Sequence, residues 1–387
     1  MATDVTRLRL NGFVPWFLAL LVLGLSISTP GCRRASPPDV AGETGAGSSQ
    51  TPTNPSPGSG QPTPFVQRSI EGLRPGLAQG YALAFSALNP GENAPQTIYV
   101  SIPWTADPFV LDTETNGQFA WHPDGRHLLY LRQPDGAEAP FTLLLSPLDG
   151  SAATPLATYQ GWPDYALHTP AFSPDGSFIT VEDGTSVACL LHILSTLGEE
   201  LHAVGVYGGY VWSPDCSRLA YEGQEDLDPP IPIQDGCSGS LRVLDPLTGE
   251  DVLLVKGDRD YMYGPVAWPA ESQLIYSRYT TGKAPDWETH TDYFSLDPTD
   301  PAAVPAPLPE GLPLAYDDQR ALIPAELRED WTGFFMESPD GSAALFATHL
   351  DTYPYYTLRI LDLQTGAHGV IGAGGVAGWS PVPVEGP

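Results

Sequence analysis

The sequence has very few basic residues. Lys and Arg together number 17 in 387 residues, against 46 Asp and Glu, so the formal net charge is −29. Only two of the basic residues are lysines, Lys256 and Lys283. A surface with this charge repels the phosphate backbone of DNA and RNA, and the composition therefore argues against a nucleic-acid-binding protein.

Cysteine is also scarce, with four residues in the chain. None of them lies in a Cys-x-x-Cys pair or at a Cys/His spacing typical of zinc. Cys189 and Cys237 fall at similar positions in two successive repeats described below, so in an oxidising compartment they are candidates for a disulfide. Cys216 lies at the opposite end of its repeat and is expected to keep a free thiol.

Long helical patterns are missing as well. No extended stretch has the 3.6-residue periodicity of an amphipathic helix, apart from a turn or two near residues 321–330. The chain instead holds 40 Gly and 42 Pro, with 42% hydrophobic and 16% charged residues. This composition is typical of a turn-rich, all-β protein.

One short unit recurs along the chain. Its clearest copy, residues 210–221, reads YVWSPDCSRLAY: the end of a strand, a tight turn and a returning strand. Proline presets φ at the second turn position, aspartate accepts hydrogen bonds from nearby N–H groups, and glycine, where present, supplies a positive φ. Further copies begin at Trp121, Phe172, Trp268 and Ser338, and a half copy covers Trp379 to Pro381.

A second hairpin follows each unit. It consists of an apolar strand, an Asp/Thr/Gly turn and another strand, and it is clearest in residues 241–249 and 358–366. Two hairpins per period make four strands per period. The prolines of the first unit lie 51, 40, 55, 70 and 42 residues apart, and repeats of about 40–50 residues with four strands are typical of β-propeller blades.

These units resemble the WD40-like PD40 repeat of TolB-type β-propellers over roughly residues 75–387. The resemblance implies an all-β, six-bladed propeller that acts in binding, although a fold does not fix a function. Two copies depart from the pattern. Trp268 is displaced by one position, and Glu337 stands where the aromatic residue is expected.

The two ends of the repeat region are complementary. Strands near residues 81–86, 97–102 and 110–111 have no Ser-Pro-Asp unit before them, whereas the half copy at Trp379 has little else. We therefore expect the C-terminal strand to complete the first blade and to protect its edge. The expected blades are 376–387 with 75–113, then 118–160, 168–207, 209–258, 264–309 and 334–375, with Trp121, Trp212 and Trp379 packed between blades.

The first 32 residues resemble a targeting segment. Two arginines precede an apolar run from Phe13 to about Ile27, and small residues then lead to Gly31-Cys32. This resembles a bacterial lipoprotein signal, in which Cys32 is acylated and becomes the mature N-terminus. An ordinary secretory signal and an uncleaved anchor stopped by Arg33-Arg34 are the alternatives.

Residues 33–66 are rich in Pro, Ser, Thr, Gly and Ala and poor in apolar groups, which predicts a disordered tether. Residues 67–387 are expected to form the folded domain. We therefore expect a monomeric protein outside the cytoplasm, anchored to a membrane of the cell envelope, or secreted if Cys32 carries no lipid.

A propeller has two different faces. The Ser-Pro-Asp turns and the turns between third and fourth strands share one, here called the turn face. The loops between second and third strands and the links between blades share the other, the connection face. Long irregular segments of this chain fall on the connection face, and binding residues usually lie in such loops. The candidate binding residues for an envelope protein or a glycan are Trp162, Tyr165, Tyr261, Tyr263, Trp287, Tyr316 and Trp331, unless these rings cap the domain.

Two acidic runs, residues 222–228 and 258–260, offer oxygen atoms of the kind that calcium prefers. Neither has the spacing of a defined calcium loop. We interpret both as solvated acidic surface.

Motifs of common enzymes are missing. The sequence has no G-x-S-x-G, no H-E-x-x-H and no P-loop, and its eight histidines are scattered. We therefore assign no catalytic residue, metal or cofactor. The alternative is a propeller lyase, lactonase or glycan-acting enzyme with dispersed residues, which three or more converging His, Asp or Glu side chains at the channel mouth would favour.

Overall fold

The structure is a computed structural model. It describes residues 69–88, 95–133, 140–159, 169–185, 188–224, 239–258, 261–280, 291–300, 302–308, 315–349 and 356–384. Within those ranges, no helix has the length and apolar character needed to span a bilayer. Cys32 and the expected tether lie outside the described residues.

The first sheet has seven strands. They are β1 (Leu83–Leu88), β2 (Gln96–Ser101), β3 (Phe109–Trp121), β4 (His127–Arg132), β5 (Phe141–Pro147), β6 (Thr154–Tyr159) and β22 (Ala377–Trp379). Their order is β22-β1-β2-β3-β4-β5-β6. Strand β3 pairs with β2 as far as Thr115, which also pairs with Arg132 on β4, and after an irregularity β3 pairs with β4 from Phe119 to Trp121. The sheet therefore divides there into two four-stranded units.

The second sheet repeats this plan. Its strands are β7 (Thr169–Phe172), β8 (Phe178–Thr185), β9 (Ala188–Ser195), β10 (Glu200–Trp212), β11 (Leu219–Gln224), β12 (Gly239–Leu244) and β13 (Asp251–Val255), in the order β13 to β7. Strand β10 pairs with β9 up to Val206, which also pairs with Gly223 on β11, and after an irregularity β10 pairs with β11 from Tyr210 to Trp212. It therefore closes one unit and opens the next.

Two four-stranded sheets complete the fold. The third contains β14 (Tyr261–Ala270), β15 (Gln273–Thr280), β16 (Thr291–Leu296) and β17 (Ala306–Pro307), and the fourth contains β18 (Trp331–Glu337), β19 (Ala343–His349), β20 (Tyr356–Asp362) and β21 (His368–Gly374). Helix α1 (Ala315–Leu322) and a 3-10 turn (Ala325–Leu327) lie between them, close to the helical turns expected near residues 321–330.

The described strands thus group into six antiparallel units, here numbered blades 1 to 6 from β22-β1-β2-β3 onward. The C-terminal strand completes blade 1, because Leu83 pairs with Trp379 and Phe85 with Ala377. This confirms the expected closure. The strand order is that of an all-β propeller.

The hydrophobic core lies mainly between blades. Five clusters each combine residues of two neighbouring blades: Phe85 with Leu345, Ala84 with Leu128, Leu131 with Ile179, Ile193 with Leu219, and Ala220 with Tyr276. In the sixth described cluster, Phe346 and Leu361 of blade 6 pack against Ile323, just after α1. The segment between blades 5 and 6 therefore covers that side of blade 6.

The recurring turn has a common hydrogen-bond pattern. In blade 3, Ser173 Oγ donates to Asp175 Oδ1 (2.7 Å) and accepts from the N–H of Phe178 (3.0 Å), and Asp175 also accepts from the N–H of Ser177 (3.0 Å). Blades 4 and 6 repeat these contacts at Ser213 and Ser338. The aspartate and the serine thus close the hairpin together.

A repeated glycine was not anticipated from the sequence. Six residues before the turn proline stand Gly117, Gly208, Gly333 and Gly375. The first three lie within the irregularities of β3, β10 and β18, and the φ of Gly117 is +80°. Gly117 and Gly208 lie where one long strand passes from one blade into the next, and Gly375 lies between β21 and β22. Gly333 lies within the pairing of β18 with β19.

The displaced tryptophan of blade 5 is accommodated by the backbone. Strand β14 has two irregularities, between Pro265 and Ala267 and between Ala267 and Ala270. Trp268 is consequently buried in the cluster between blades 4 and 5. Bulges of this kind redirect a side chain at the cost of local pairing.

Candidate functional site on the connection face

Aromatic and charged side chains meet on the connection face of blade 5. The guanidinium carbon of Arg278 lies 4.7 Å from the centroid of the Tyr261 ring and 5.1 Å from that of Phe294. Its Nη2 donates to Asp292 Oδ2 at 2.5 Å. Arg278 is therefore held between two rings, and Tyr261 is fixed in place by a cation–π contact.

Tyr263 lies at the margin of the core. Its ring centroid is 6.2 Å from that of Tyr276, which stacks on Phe294 at 5.4 Å. Tyr276 is buried between blades 4 and 5, whereas Tyr263 is only partly buried. Tyr263 is therefore partly accessible at the connection face, while one side of its ring contacts the core residue Tyr276.

A buried carboxyl group lies between blades 4 and 5. Glu222 on β11 is 2% exposed, and Tyr279 Oη donates to its Oε1 at 2.6 Å. A Cβ added to Gly208, Gly239 or Gly264 would come within 2.1, 2.2 or 2.9 Å of a Glu222 carboxylate oxygen. These glycines leave the carboxyl group its space, and burial raises the pKa of Glu222 to about 7 although the Tyr279 hydrogen bond opposes this.

A second acid occupies the equivalent place in blade 3. Glu182 on β8 also stands eight residues after its turn proline, and burial raises its pKa to about 7. Tyr210 of blade 4 has its Oη 2.8 Å from Thr180 Oγ1. Burial, followed by the charge of Glu182, raises the pKa of Tyr210.

The two acids are specific to blades 3 and 4. The equivalent positions in the other blades hold Ser86, Leu131, Ser277 and Ala347. Two neighbouring blades thus carry carboxyl groups whose pKa is raised to about 7 by burial. Such groups can donate hydrogen bonds to a ligand or transfer protons, and they often occur at functional sites.

The structure changes the interpretation of two predicted features. Glu222 is buried, so the prediction of a solvated surface was wrong for that residue. Trp331 is 7% exposed and donates from Nε1 to the carbonyl oxygen of Phe334 at 2.8 Å. Its ring packs with Ile323 and Phe346, where it is not available to a ligand.

Several predicted residues fall outside the described part of the chain. Trp162, Tyr165, Trp287 and Cys237 are among them. Tyr316 lies in α1 and Cys189 in β9, but their side chains are not described, so the Cys189–Cys237 disulfide stays a prediction. Cys216 is buried and forms no disulfide within the described residues, and its side chain hydrogen-bonds the Asp175 carboxylate.

The sequence held one signal for the buried acids. Alignment of the repeats on their prolines places Glu182 and Glu222 at a position that is apolar or small in the other copies. The burial of Glu222 could not be predicted in this way, because Tyr279 and Gly264 of the neighbouring blade enclose its carboxyl group. The serines at this position also serve the backbone: Ser86 Oγ accepts from the N–H of Val376 at 2.9 Å.

Comparisons with known proteins identify no family for the chain. No family model matches the chain, and no curated protein matches it. Among solved structures it is similar to TolB from Acinetobacter baumannii, at 14% identity over 78% of this chain and 67% of that one, with a TM-score of 0.42.

Two further structures are similar. The β-propeller domain of the trilobed protease from Pyrococcus furiosus shares 10% identity over 80% of this chain and 83% of that one, with a TM-score of 0.42. An oligogalacturonate lyase from Vibrio parahaemolyticus shares 12% over 80% and 78%, with a TM-score of 0.39. At these identities a likeness concerns fold alone, and the chain's own strand order identifies it as an all-β propeller.

Proposed function

We propose that this chain is an exported β-propeller, tethered to a membrane by its N-terminal segment, that binds a protein or a glycan of the cell envelope through its connection face. The observation that carries the proposal is the path of residues 69–80, the leading segment, across the turn face.

The leading segment is held at several points. Ser69 exchanges backbone hydrogen bonds with Val370 on β21, the outermost strand of blade 6. Arg74 then contacts Asp362 through two hydrogen bonds of 3.2 Å, in the turn between the third and fourth strands. Near its end, the carbonyl of Gly80 accepts from the N–H of Val384 at 2.7 Å.

The contacts of residues 69–80 support the proposal that the chain enters the domain from its turn face. Both the Asp362 turn and the C-terminal segment that follows Trp379 belong to the turn face. We infer that an anchor preceding residue 69 would approach the domain from the turn face, an arrangement that leaves the connection face open to a ligand. That face carries Tyr261 and Arg278, side chains suited to sugar rings and to polar peptide groups.

The binding proposal is tested by site-specific photo-crosslinking of the full-length chain in intact cells. A photoreactive residue replaces Tyr261 on the connection face, and in a control chain it replaces Leu247, a 63% exposed residue on the turn face of blade 4. We expect a discrete adduct with an envelope component only at position 261. Equal adducts at both positions, or none at position 261, would contradict the proposal.

The tether is tested separately. Cys32→Ser removes the expected acylation site, and we expect the variant to leave the membrane fraction, whereas the control Cys216→Ala stays in it. Unchanged fractionation of Cys32→Ser would exclude the lipid anchor. Recovery of the unmodified chain in the cytoplasm would exclude export.

A propeller enzyme that acts on a glycan or a lactone is the second candidate. The matched positions of Glu182 and Glu222, each with a pKa raised by burial to about 7, favour it. Turnover of acidic polysaccharides or lactones that falls about 100-fold or more in both Glu182→Gln and Glu222→Gln would support it, since general acid–base catalysis contributes about 10²–10⁴-fold. Turnover that survives in both variants would exclude it.

A further inference from the structure

The first turn of blade 2 differs from its counterparts. Blades 3, 4 and 6 carry serine before the turn proline, and that serine bonds to the turn aspartate. Blade 2 carries His122 in the same place. It also carries His127 where the corresponding residues are Phe178, Arg218 and Ala343. Two imidazoles therefore flank one aspartate, Asp124.

The three side chains converge. Nδ1 of His122 is 3.0 Å from Asp124 Oδ1, and Nδ1 of His127 is 2.8 Å from Asp124 Oδ2. One potential ligand atom from each residue lies within 4.8 Å of the other two, and within the described part of the chain this is the single such group of His, Cys, Asp or Glu. Zinc bonds of about 2.0–2.2 Å in tetrahedral geometry place ligand atoms about 3.3 Å apart. The ligand atoms, now within 4.8 Å of one another, would have to approach by at most about 1.5 Å to reach that spacing.

The turn closes without either imidazole. The N–H of His122 donates to the carbonyl of His127 at 3.0 Å, and the N–H of Arg126 donates to Asp124 Oδ1 at 2.7 Å. The serines of the other turns accept from the N–H five residues on, whereas His122 Nδ1 accepts from the N–H of Asp124 at 3.2 Å. The two histidines therefore do not reproduce the hydrogen bonds that serine makes in the other turns.

The neighbouring turn holds His122 in place. A Cβ on Gly176 of blade 3 would lie 2.9 Å from His122 Nε2, and the ring of Phe172 meets the imidazole edge-on at 4.8 Å. All three side chains remain partly exposed, so solvent reaches the group. Asp149, in the next turn of the same blade, is close enough to His127 for their charges to interact.

We propose that His122, Asp124 and His127 bind one divalent transition-metal ion, zinc above all, with at least one coordination position open to water or to an external ligand. Two imidazoles and one carboxylate suit zinc, nickel or copper, whereas calcium and magnesium prefer all-oxygen sites. This site replaces the expectation from the sequence that the chain binds no metal.

The site lies on the turn face beside the C-terminal segment. A Cβ on Gly125, between Asp124 and Arg126, would come within 2.7 Å of Val382 Cγ2. Because the ion binds the folded chain, it also stabilises it by linkage. Zinc should therefore raise the midpoint of thermal unfolding as well as bind to the protein.

The test is equilibrium dialysis of the full-length chain against zinc chloride, with metal analysis and with thermal unfolding as a second readout. The variants are His122→Ser, His127→Ala and the double change, which give blade 2 the residues that blade 6 carries. His349→Ala, an exposed histidine on β19, is the control. In the absence of zinc, we expect all variants to unfold at the wild-type temperature.

We expect one zinc ion per wild-type chain and the same for the control. Each single variant should bind at least about tenfold more weakly, because even an outer hydrogen-bond partner of a metal ligand is typically worth about 10- to 100-fold. The double variant should lose the ion and its thermal stabilisation. Unchanged binding in the double variant, no saturable zinc binding in the wild type, or equal affinity for calcium would each overturn the site.

Discussion

At the scale of the residue, Glu222 couples stability to pH. The pKa of its carboxyl rises from the ordinary 4.5 to about 7 in the fold because burial disfavours the charge. Between these values the folded chain holds a proton that the unfolded chain releases. The contribution of Glu222 to the free energy of unfolding therefore falls as pH rises through this window.

We predict that Glu222→Gln reduces this loss of stability. The amide keeps the shape of the protonated carboxyl group but cannot ionise. Between about pH 4.5 and 8, the free energy of unfolding of the variant should therefore rise by a few kcal/mol relative to that of the wild type. Urea unfolding at several pH values measures the difference. Glu71→Gln, at an exposed position, is the control, and a Glu222→Gln profile parallel to the wild type would refute the coupling.

Cys216 gives a second prediction at this scale. It takes the turn position held elsewhere by Gly125, Gly176 and Gly341, and its φ is +58°. A side chain in this region costs about 1–2 kcal/mol. Cys216→Gly should therefore be more stable than Cys216→Ala by about 1 kcal/mol, as measured by denaturant unfolding.

The matched comparison for Cys216 is Ala203→Gly in β10. There φ is negative, and glycine should destabilise the strand by roughly 0.5–1 kcal/mol. The sign of the Ala-to-Gly difference should thus reverse between the two positions. The same sign at both would show that the turn does not impose its φ.

At the scale of the element, the turns were predictable and the crossings between blades were not. A Ser-Pro-Asp turn is specified by the local chemistry of about four residues. Its position therefore also predicted the strands on either side. The glycine six residues before the proline, in contrast, is needed because of how neighbouring strands are arranged, which the sequence around it does not show. Likewise, Trp331 is buried because the segment after α1 packs on blade 6, a contact between elements that periodicity does not reveal.

Gly117 allows one such crossing to be tested. Its φ is +80°, and a Cβ there would come within 2.1 Å of Gln96 Oε1. We expect Gly117→Ala to destabilise the fold by about 2–3 kcal/mol through strain and steric conflict together. In a Gln96→Ala background the steric conflict is absent. The destabilisation caused by Gly117→Ala should then fall to the backbone strain alone, about 1–2 kcal/mol.

A double-mutant cycle measured by thermal or urea unfolding separates the two contributions at Gly117. Ala203→Gly again serves as a control for an ordinary strand position. A Gly117→Ala variant as stable as the wild type would show that the crossing does not need its glycine.

At the scale of the whole molecule, the sequence predicted ring closure because an incomplete first blade and an isolated last strand complement each other. The binding candidates were less predictable. The rings of Tyr261 and Tyr263 are partly engaged within blade 5, while Glu222 is enclosed by residues of the next blade. The composition indicated an acidic propeller, but only the packing of blades shows which acids are buried.

Trp379 tests the closure. It is 5% exposed on β22, and its ring meets that of Trp104 edge-on at 6.0 Å. Trp379→Ala should lower the free energy of unfolding by about 3–5 kcal/mol, as for other buried tryptophans. Val382→Ala, three residues on and 38% exposed, should cost much less. Comparable losses in the two variants, measured by thermal unfolding, would mean that β22 does not hold the ring together.

The pairing of β22 with β1 also orders events during synthesis. Strand β1 leaves the ribosome some 290 residues before its partner does, since Phe85 pairs with Ala377. Blade 1 stays unfinished until β22 has been synthesised, so its four strands can pair only from that point onward. A product that ends before β22 would leave the edge of β1 without its partner strand. Such an unpaired edge promotes self-association.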